Sequence, residues 1–457
     1  MSTATQAVPA PETPREVPMI PGQFVLGSAK AFHANSLEFI RKAQALHGDV
    51  VHFKVAMFDW YSVAHPDDAY DITVTRAALF NKPKINKRIF REFLGNGVLS
   101  SDGDYWKAQH KLMQPAFHKQ RIDAYGQVMV QYTQDLLDEW QQGESRDFRT
   151  DMTALTLRIV GKTLFNRDVK AGAKTVGDAM NDINEVLCAH INLPLPVPRW
   201  WPSAANRRKL KAIGDIEGII RGIVAERRAS EADEGDLMST LVHGQYEDGT
   251  RMNDTQIRDE AMTLFFAGHE TTAHALTWMW YILAHHPDVV EKVKDELGRV
   301  LQGRTPSVND LPQLTYLDMV VKESMRLWPS VWTFMREPIE DVVVGGFRIP
   351  KGAQIMISPG LMQRDPRFFE SPMEFRPERF TKENEKRLHR GAYMPFGAGP
   401  RICQGKAFAL MEARLILACL LQRSVPRIPA GFVPTPVPQL SQYPKEGMPF
   451  VVEKTVL

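Results

Sequence analysis

Cysteine is scarce: the 457-residue chain has three, Cys188, Cys403 and Cys419. An odd, sparse set is a poor disulfide framework and suggests a reducing compartment. No Cys-x-x-Cys pair occurs, which argues against a structural zinc ribbon. Excess charge is lacking too. A net charge of +2 is too slight to argue for nucleic acid, so any basic partner surface must be a local patch. Nowhere is there a run of the roughly 20 apolar residues that a membrane-spanning helix needs. The opening "MSTATQAVPAPETPREVP" is polar and proline-rich, without the apolar core of a signal peptide or anchor. These absences predict a soluble, cytoplasmic protein with a flexible arm over residues 1–18 and a folded body over 19–457. With 44% hydrophobic residues, that body can bury a large core.

What is present reads mostly as helix. "SLEFIRKAQALHG" has the pattern of a first helix, and "DVVHFKV" and "DWYSVAH" alternate like strands. From about Asp104 to His286 nearly every periodic stretch is helical. After Pro338 short strands, turns and prolines take over. A last helix follows Cys403, with Phe408, Met411, Leu415, Ala418 and Leu421 at helical spacing. The tail from Pro429 returns to strand and turn. The chain is expected to be mainly α, with small sheets contributed by both ends within one interleaved domain.

"NDTQIRDEAMTLFFAGHETTAHALTWMWYILAHHP" predicts one long helix, opened by a capping box at Asn253 and Gln256 and stopped at Pro287. At about 1.5 Å per residue it would run roughly 50 Å, far enough to cross a domain. Its middle is apolar on nearly all sides, which means burial. Into that setting it puts Gly268, His269, Glu270, Thr271 and Thr272. A helical glycine costs about 1 kcal/mol against alanine. Polar groups in an apolar surround need partners. One reading is a packing notch. The reading favoured by so many such residues together is a groove opened at Gly268, with Glu270 and Thr271 beside it to relay protons. Further on, "KESMRLWP" sets Glu323 and Arg326 three apart on one helix face. Alone, they would form a surface ion pair of small value. Joined by Arg379 from "RPERF", they would pin a proline-rich segment onto the core.

"FGAGPRICQGKAFA" places Cys403 among glycines, just before a helix. A helix N-terminus, and amides aimed by a turn through Gly399 and Gly405, both favour a thiolate. Disulfide, zinc ligand, nucleophile and haem ligand are the chemistries on offer. One cysteine cannot hold zinc alone, and a nucleophile needs a base that no nearby histidine supplies in sequence. A lone thiolate can serve as the single protein ligand of haem iron, where the porphyrin gives four more donors. Cys188 and Cys419 fit better as buried core residues.

The spacing of Phe396, Gly399, Arg401, Cys403 and Gly405 resembles the haem-binding signature of the cytochrome P450 superfamily. "AGHETT" is similar to that family's oxygen-activating helix segment, and Glu323, Arg326 and Arg379 resemble its structural triad. The likeness covers almost the whole chain, in the family's order. It implies the cytochrome P450 fold, a helical bundle around haem b, and a monooxygenase using O2 and two external electrons. It implies Cys403 as axial iron ligand, with Phe396 near the sulfur. Glu270 and Thr271 would deliver protons, and Gly268 would open the helix for oxygen. Arg401, Arg336, Trp106 and His110 would meet the haem carboxylates.

The same resemblance implies an apolar pocket for a lipophilic substrate, with Leu99, Phe265, Val331, Trp332 and Phe334 as walls. Residues 193–202, with Trp200 and Trp201, would cover its entrance. Asp59 lies where fatty-acid oxidisers of the family often carry a basic residue, which favours a neutral terpenoid or steroid over a fatty acid. No flavin or iron–sulfur signature follows the haem region, so electrons are expected from a separate ferredoxin or flavodoxin with its reductase. Lys107, Lys111, Lys119, Lys406 and Arg414 are the expected docking face, and the protein is expected to be a monomer. A peroxide-driven peroxygenase and a non-catalytic haem sensor are the alternatives. The acid–threonine pair weighs against the first, and the want of an output domain against the second.

Overall fold

Apolar periodicity sets most of the architecture. The computed structural model describes residues 14–23, 26–168, 201, 203–230 and 233–455. Its axis is the helix Asp254–Ala284. The expected capping box is there: the Gln256 N–H donates to the Asn253 side chain, and the Asn253 N–H donates to the Gln256 side chain, both at 2.9 Å. Pro287 opens the next helix, Pro287–Leu301, so the chain turns at His285 and His286. Helices Phe148–Phe165, Ala204–Ala229, Thr315–Leu327 and Lys406–Arg423 pack against this central helix. Large rings fill the seams. Trp280 stacks on Phe148 with centroids 4.4 Å apart, and Trp278 stacks on Trp328 at 4.1 Å. Burying a large apolar side chain contributes about 1.5–3 kcal/mol, so the tryptophans make this helix the centre of the core.

The sheets join distant parts of the chain, as expected. Val50–Val55 pairs antiparallel with Phe58–Val63. The latter lies parallel to Gln354–Ile357, which in turn pairs with Phe334–Pro338. Ser145–Asp147 pairs with Pro449–Val451. The N-terminal boundary needs correction. Arg15–Glu16 pairs in parallel with Phe347–Arg348, the Arg15 guanidinium lies 4.5 Å from the Phe347 ring centre, and Val17 is buried. The folded body therefore includes residues from Arg15 on, not from residue 19. Two residues of strand pairing leave no periodicity for a composition-based boundary to detect.

The ion pair Glu323–Arg326 is also not where the isolated pair would sit. Both side chains are 0% exposed. Arg326 donates to Glu323 at 2.6 and 2.8 Å. It also donates to the carbonyls of Gln363 and Pro372, both at 2.7 Å, and of Glu374 at 3.1 Å. Glu323 accepts from Arg379 at 3.2 Å and from the Arg376 N–H at 2.9 Å. One guanidinium thus satisfies three carbonyls of an irregular segment that has no ladder to satisfy them. That is the pinning expected when Arg379 joins the pair.

Removing one partner of a buried pair leaves the other charge uncompensated, at a cost of about 3–5 kcal/mol. Glu323→Ala is expected to lower the unfolding free energy by that amount in a urea titration. An unchanged urea midpoint would show that the cluster does not hold the segment.

Candidate active site

Cys403 follows a turn built for glycine. Gly397 and Gly399 have φ of 71° and 69°. A Cβ on Gly399 would lie 1.8 Å from the Thr73 carbonyl oxygen, so close approach excludes a side chain there as firmly as backbone angle does. The Cys403 N–H donates to the Phe396 carbonyl at 3.0 Å and closes the turn. Helix Lys406–Arg423 starts directly after Gly405, whose N–H is aimed at the sulfur. Cys403 is accessible to solvent, yet burial pushes its thiol pKa up. Both hold for a side chain on the wall of an internal recess. The Gly405 N–H and Lys406 oppose the shift but do not overcome it. The turn and Lys406 thus act toward the thiolate, as expected, against a burial that favours the thiol. Among the described residues no group of three His, Cys, Asp or Glu side chains can hold a metal, and Cys419 is buried in the core. Cys188 lies outside the described residues.

The central helix supplies a second wall. Between Glu260 and Trp280 every residue is buried except Leu264, Ala267, Gly268, Thr271 and Ala275. These recur three and four apart and so share one face. Thr271 Oγ1 donates to the Ala267 carbonyl at 3.0 Å. Glu270, the preceding residue, is buried. Gly268 has a reason of its own: a Cβ there would lie 3.1 Å from Val160 Cγ2 on the helix Phe148–Phe165. Its missing side chain lets two helices approach, which is the packing-notch reading.

A cluster of cations is the third component. Arg401 donates to Asp102 at 2.7 Å and to the Ser101 carbonyl at 3.2 Å, and lies 3.5 Å from the Trp106 ring centre. Lys87 pairs with the same Asp102 at 2.8 Å. Lys82, to which sequence reasoning gave no role, donates to the Val98 carbonyl at 2.6 Å. Burial pushes it down to about 7, with Arg401 acting in the same direction. Arg336 is buried and donates to the carbonyl of its neighbour Met335 at 2.9 Å. Burial pushes it down to about 10. Among the described residues Asp102 is the carboxylate that acts on all of Lys82, Lys87, Arg336 and Arg401, and Glu260 acts more weakly on Lys82. The His110 ring lies 5.1 Å from that of Trp106, and burial followed by Arg401 lowers its pKa, so it stands beside the cluster as a neutral group.

The expected substrate wall divides. Leu99, Val331 and Phe334 are partly exposed, as wall residues must be. Phe265 and Trp332 are core residues instead. Phe265 packs edge-on to Phe165 at 5.6 Å, away from the open face of the helix. Trp332 is buried with Phe32, Phe53 and Trp60, and its indole N–H donates to the Gln439 carbonyl at 3.0 Å. The open residue beside them is Ala267, which an apolar pattern could not single out.

A family model described as Cytochrome P450 matches residues 11–445. The chain belongs to the cytochrome P450 family. It is similar to cyclooctatin synthase of Streptomyces melanosporofaciens, 34% identical over 91% of each chain. It is similar to cyclooctat-9-en-7-ol 5-monooxygenase of the same organism, 32% identical over 92% of each. Pentalenene oxygenase of Streptomyces avermitilis is 30% identical over 87% of this chain and 88% of that one. The solved heme domain of cytochrome P450DA superposes with a TM-score of 0.87 at 25% identity, over 96% of this chain and 99% of that one. The fold is the cytochrome P450 fold, and the enzyme is a haem-thiolate monooxygenase.

The residues of this P450 fit the cofactor. A buried positive cluster with too little carboxylate is unfavourable unless an anion joins it, and haem brings two carboxylates. A soft sulfur on the recess wall suits iron. The outer face is less basic than its lysines suggest. Lys107, Lys111 and Lys119 pair with Asp104, Glu247 and Asp123, and Arg414 turns to Asp318 at 3.2 Å, while Lys406 is exposed. Residues 193–200, including Trp200, lie outside the described residues; Trp201 is exposed.

The clash at Gly399 yields a spectroscopic expectation. Gly399→Ala should displace the cysteine turn, so the strong Soret red shift of the reduced carbon monoxide complex is lost, as in Cys403→Ala. Haem content measured alongside separates loss of ligation from loss of cofactor. A wild-type band in Gly399→Ala would mean that the turn tolerates a side chain.

Proposed function

We propose that this P450 inserts one oxygen atom of O2 into a neutral, lipophilic small molecule of the terpenoid or steroid kind. The observation that carries this reading is the open face of the central helix. Leu264, Ala267, Thr271 and Ala275 offer apolar surface and one hydroxyl, and Leu99, Val331 and Phe334 add only apolar groups. Such a pocket selects by shape and apolar contact. Two relatives are named for an unsaturated hydrocarbon, pentalenene, and an unsaturated alcohol, cyclooctat-9-en-7-ol, both uncharged. Asp59 no longer supports neutrality. It faces His52 at 2.8 Å and Lys54 at 3.8 Å, so its charge is answered within its own hairpin.

Cys403 would hold the iron, and Arg401, Arg336, Lys82, Trp106 and His110 would receive the carboxylates. When bound, haem supplies the reductive activation of O2 that no side chain can perform. The chain's own residues supply the protons. Thr271 holds a hydroxyl proton at Oγ1, now donated to Ala267, and rotation about the Cβ–Oγ1 bond re-aims it. Glu270, next along the buried turn, is the carboxyl that resupplies it. Phe396 and the Gly405 amide shape the electron density at the sulfur. This relay supports an O2-dependent reaction over a peroxide-driven one. We further propose that residues 15–455 act as one haem domain in the cytoplasm. Among the described residues no helix is long and apolar enough to cross a membrane. Electrons would come from a ferredoxin or flavodoxin docking near Lys406, where the cation is exposed.

Two measurements test this. With a surrogate ferredoxin and its reductase, Thr271→Ala should yield about tenfold less product per O2 consumed while O2 consumption continues. Equal coupling would remove Thr271 from proton delivery. In substrate titrations followed by the iron spin-state shift, a fatty acid methyl ester should bind about tenfold more tightly than the free acid. Tighter binding of the acid would overturn the neutral-substrate reading.

A further inference from the structure

Asp259 and Glu260 lie on the central helix just ahead of its open face and take no part in the chemistry above. Both grip one loop. Asp259 Oδ2 accepts the Asn96 N–H at 2.6 Å, and Glu260 Oε2 accepts the Val98 N–H at 2.8 Å. The approach is too close for side chains. A Cβ on Gly95 would lie 2.1 Å from Asp259 Oδ1, and one on Gly97 would lie 2.3 Å from Thr263 Oγ1. Ser100 Oγ donates to the Gly95 carbonyl at 2.6 Å, which closes the loop on itself.

The same loop is held from its other side. Lys82 Nζ donates to the Val98 carbonyl at 2.6 Å, and Arg401 donates to the Ser101 carbonyl at 3.2 Å. Val98 is thus fixed through its N–H to the central helix and through its carbonyl to the cation cluster. Leu99, the next residue, has its position set by both. Asp259 also pairs with Arg258 at 3.1 Å, and Arg258 with Glu217 on the helix Ala204–Ala229 at 3.3 Å. Glu260 is fully buried, and its Oε1 has no hydrogen-bond partner among the described residues. Burial pushes its pKa up to about 8, with Asp259 acting in the same direction and the Val98 N–H and Lys82 opposing. It is therefore largely a neutral acid near pH 7. A buried acid that makes one bond is a poor way to stabilise a helix, since an apolar residue of that size would do better. What it does provide is a fixed position for one amide.

We propose that Asp259 and Glu260 are positioning residues that clamp loop 95–101 to the central helix and, by setting where Leu99 stands, determine which bulky molecules the pocket holds. This rests on the reading of Leu99 as a pocket wall.

The test uses the full-length, haem-loaded protein with two nitrogen ligands of iron, imidazole and 4-phenylimidazole, titrated by their Soret shifts. In Glu260→Ala the orphaned Val98 amide frees the loop. Affinity for 4-phenylimidazole is expected to fall about tenfold while that for imidazole stays within about twofold. Glu260→Gln, whose amide oxygen can still accept from Val98, should restore both. Hydrogen exchange in the peptide covering 95–101 should speed up about tenfold in Glu260→Ala, with the helix Lys406–Arg423 unchanged. Should Glu260→Ala fail to fold, Gly97→Ala strains the same contact from the loop side and carries the same expectation. Unchanged exchange would overturn the clamp. Faster exchange with unchanged selectivity between the probes would overturn the specificity role and count against Leu99 as a wall. A parallel loss of both probes, or no rescue by glutamine, would reduce the pair to general structural support.

Discussion

A charge taken out of water has to be compensated, and this molecule does so in three different ways. Around Arg326 compensation is internal: a carboxylate and three carbonyls complete the guanidinium, and a loop is fastened as a result. Around Arg336 and Lys82 burial lowers both pKa values against the pull of Asp102, and in the proposed reading the carboxylates of the cofactor complete the balance. At Glu260 it is achieved by a proton. The first arrangement makes a scaffold, the second an acceptor for an anionic cofactor, and the third a neutral hydrogen-bonding post. The second and third meet at loop 95–101, where Lys82 holds the Val98 carbonyl and Glu260 holds its N–H.

Much of this was legible in residues. The capping box at Asn253, the stop at Pro287, the glycine turn ahead of Cys403 and the helix after it all rest on local rules, and the structure keeps them. The failures at single side chains share a cause. Phe265 and Ala267 differ by two positions on one helix, and only the packing of Phe165 decides which of them faces the recess. Trp332 reads as a pocket aromatic until a distant carbonyl, that of Gln439, claims its N–H. Gly268 stands on the open face, and the nearness of Val160 gives it a packing reason that no local rule shows. Lys82 carries no local signal at all, since a lysine in a loop is unremarkable until the sum of charges around it is known. These misses concern where a side chain points in three dimensions; the strand at Arg15–Glu16 was missed because two paired residues leave no pattern to read.

The sheet pairings have a consequence for how the molecule is made. Arg15–Glu16 and Phe58–Val63 find their partners only at Phe347–Arg348 and Gln354–Ile357. A ribosome delivers those partners after most of the chain has emerged, and Cys403 later still. The N-terminal strands must therefore wait with open edges, while the helices between them form from local contacts. The sheet can thus close only shortly before Cys403, the proposed iron ligand, emerges. Cofactor capture is then a late event in biogenesis, and a ribosome stalled before residue 403 would leave a largely helical nascent chain unable to retain haem.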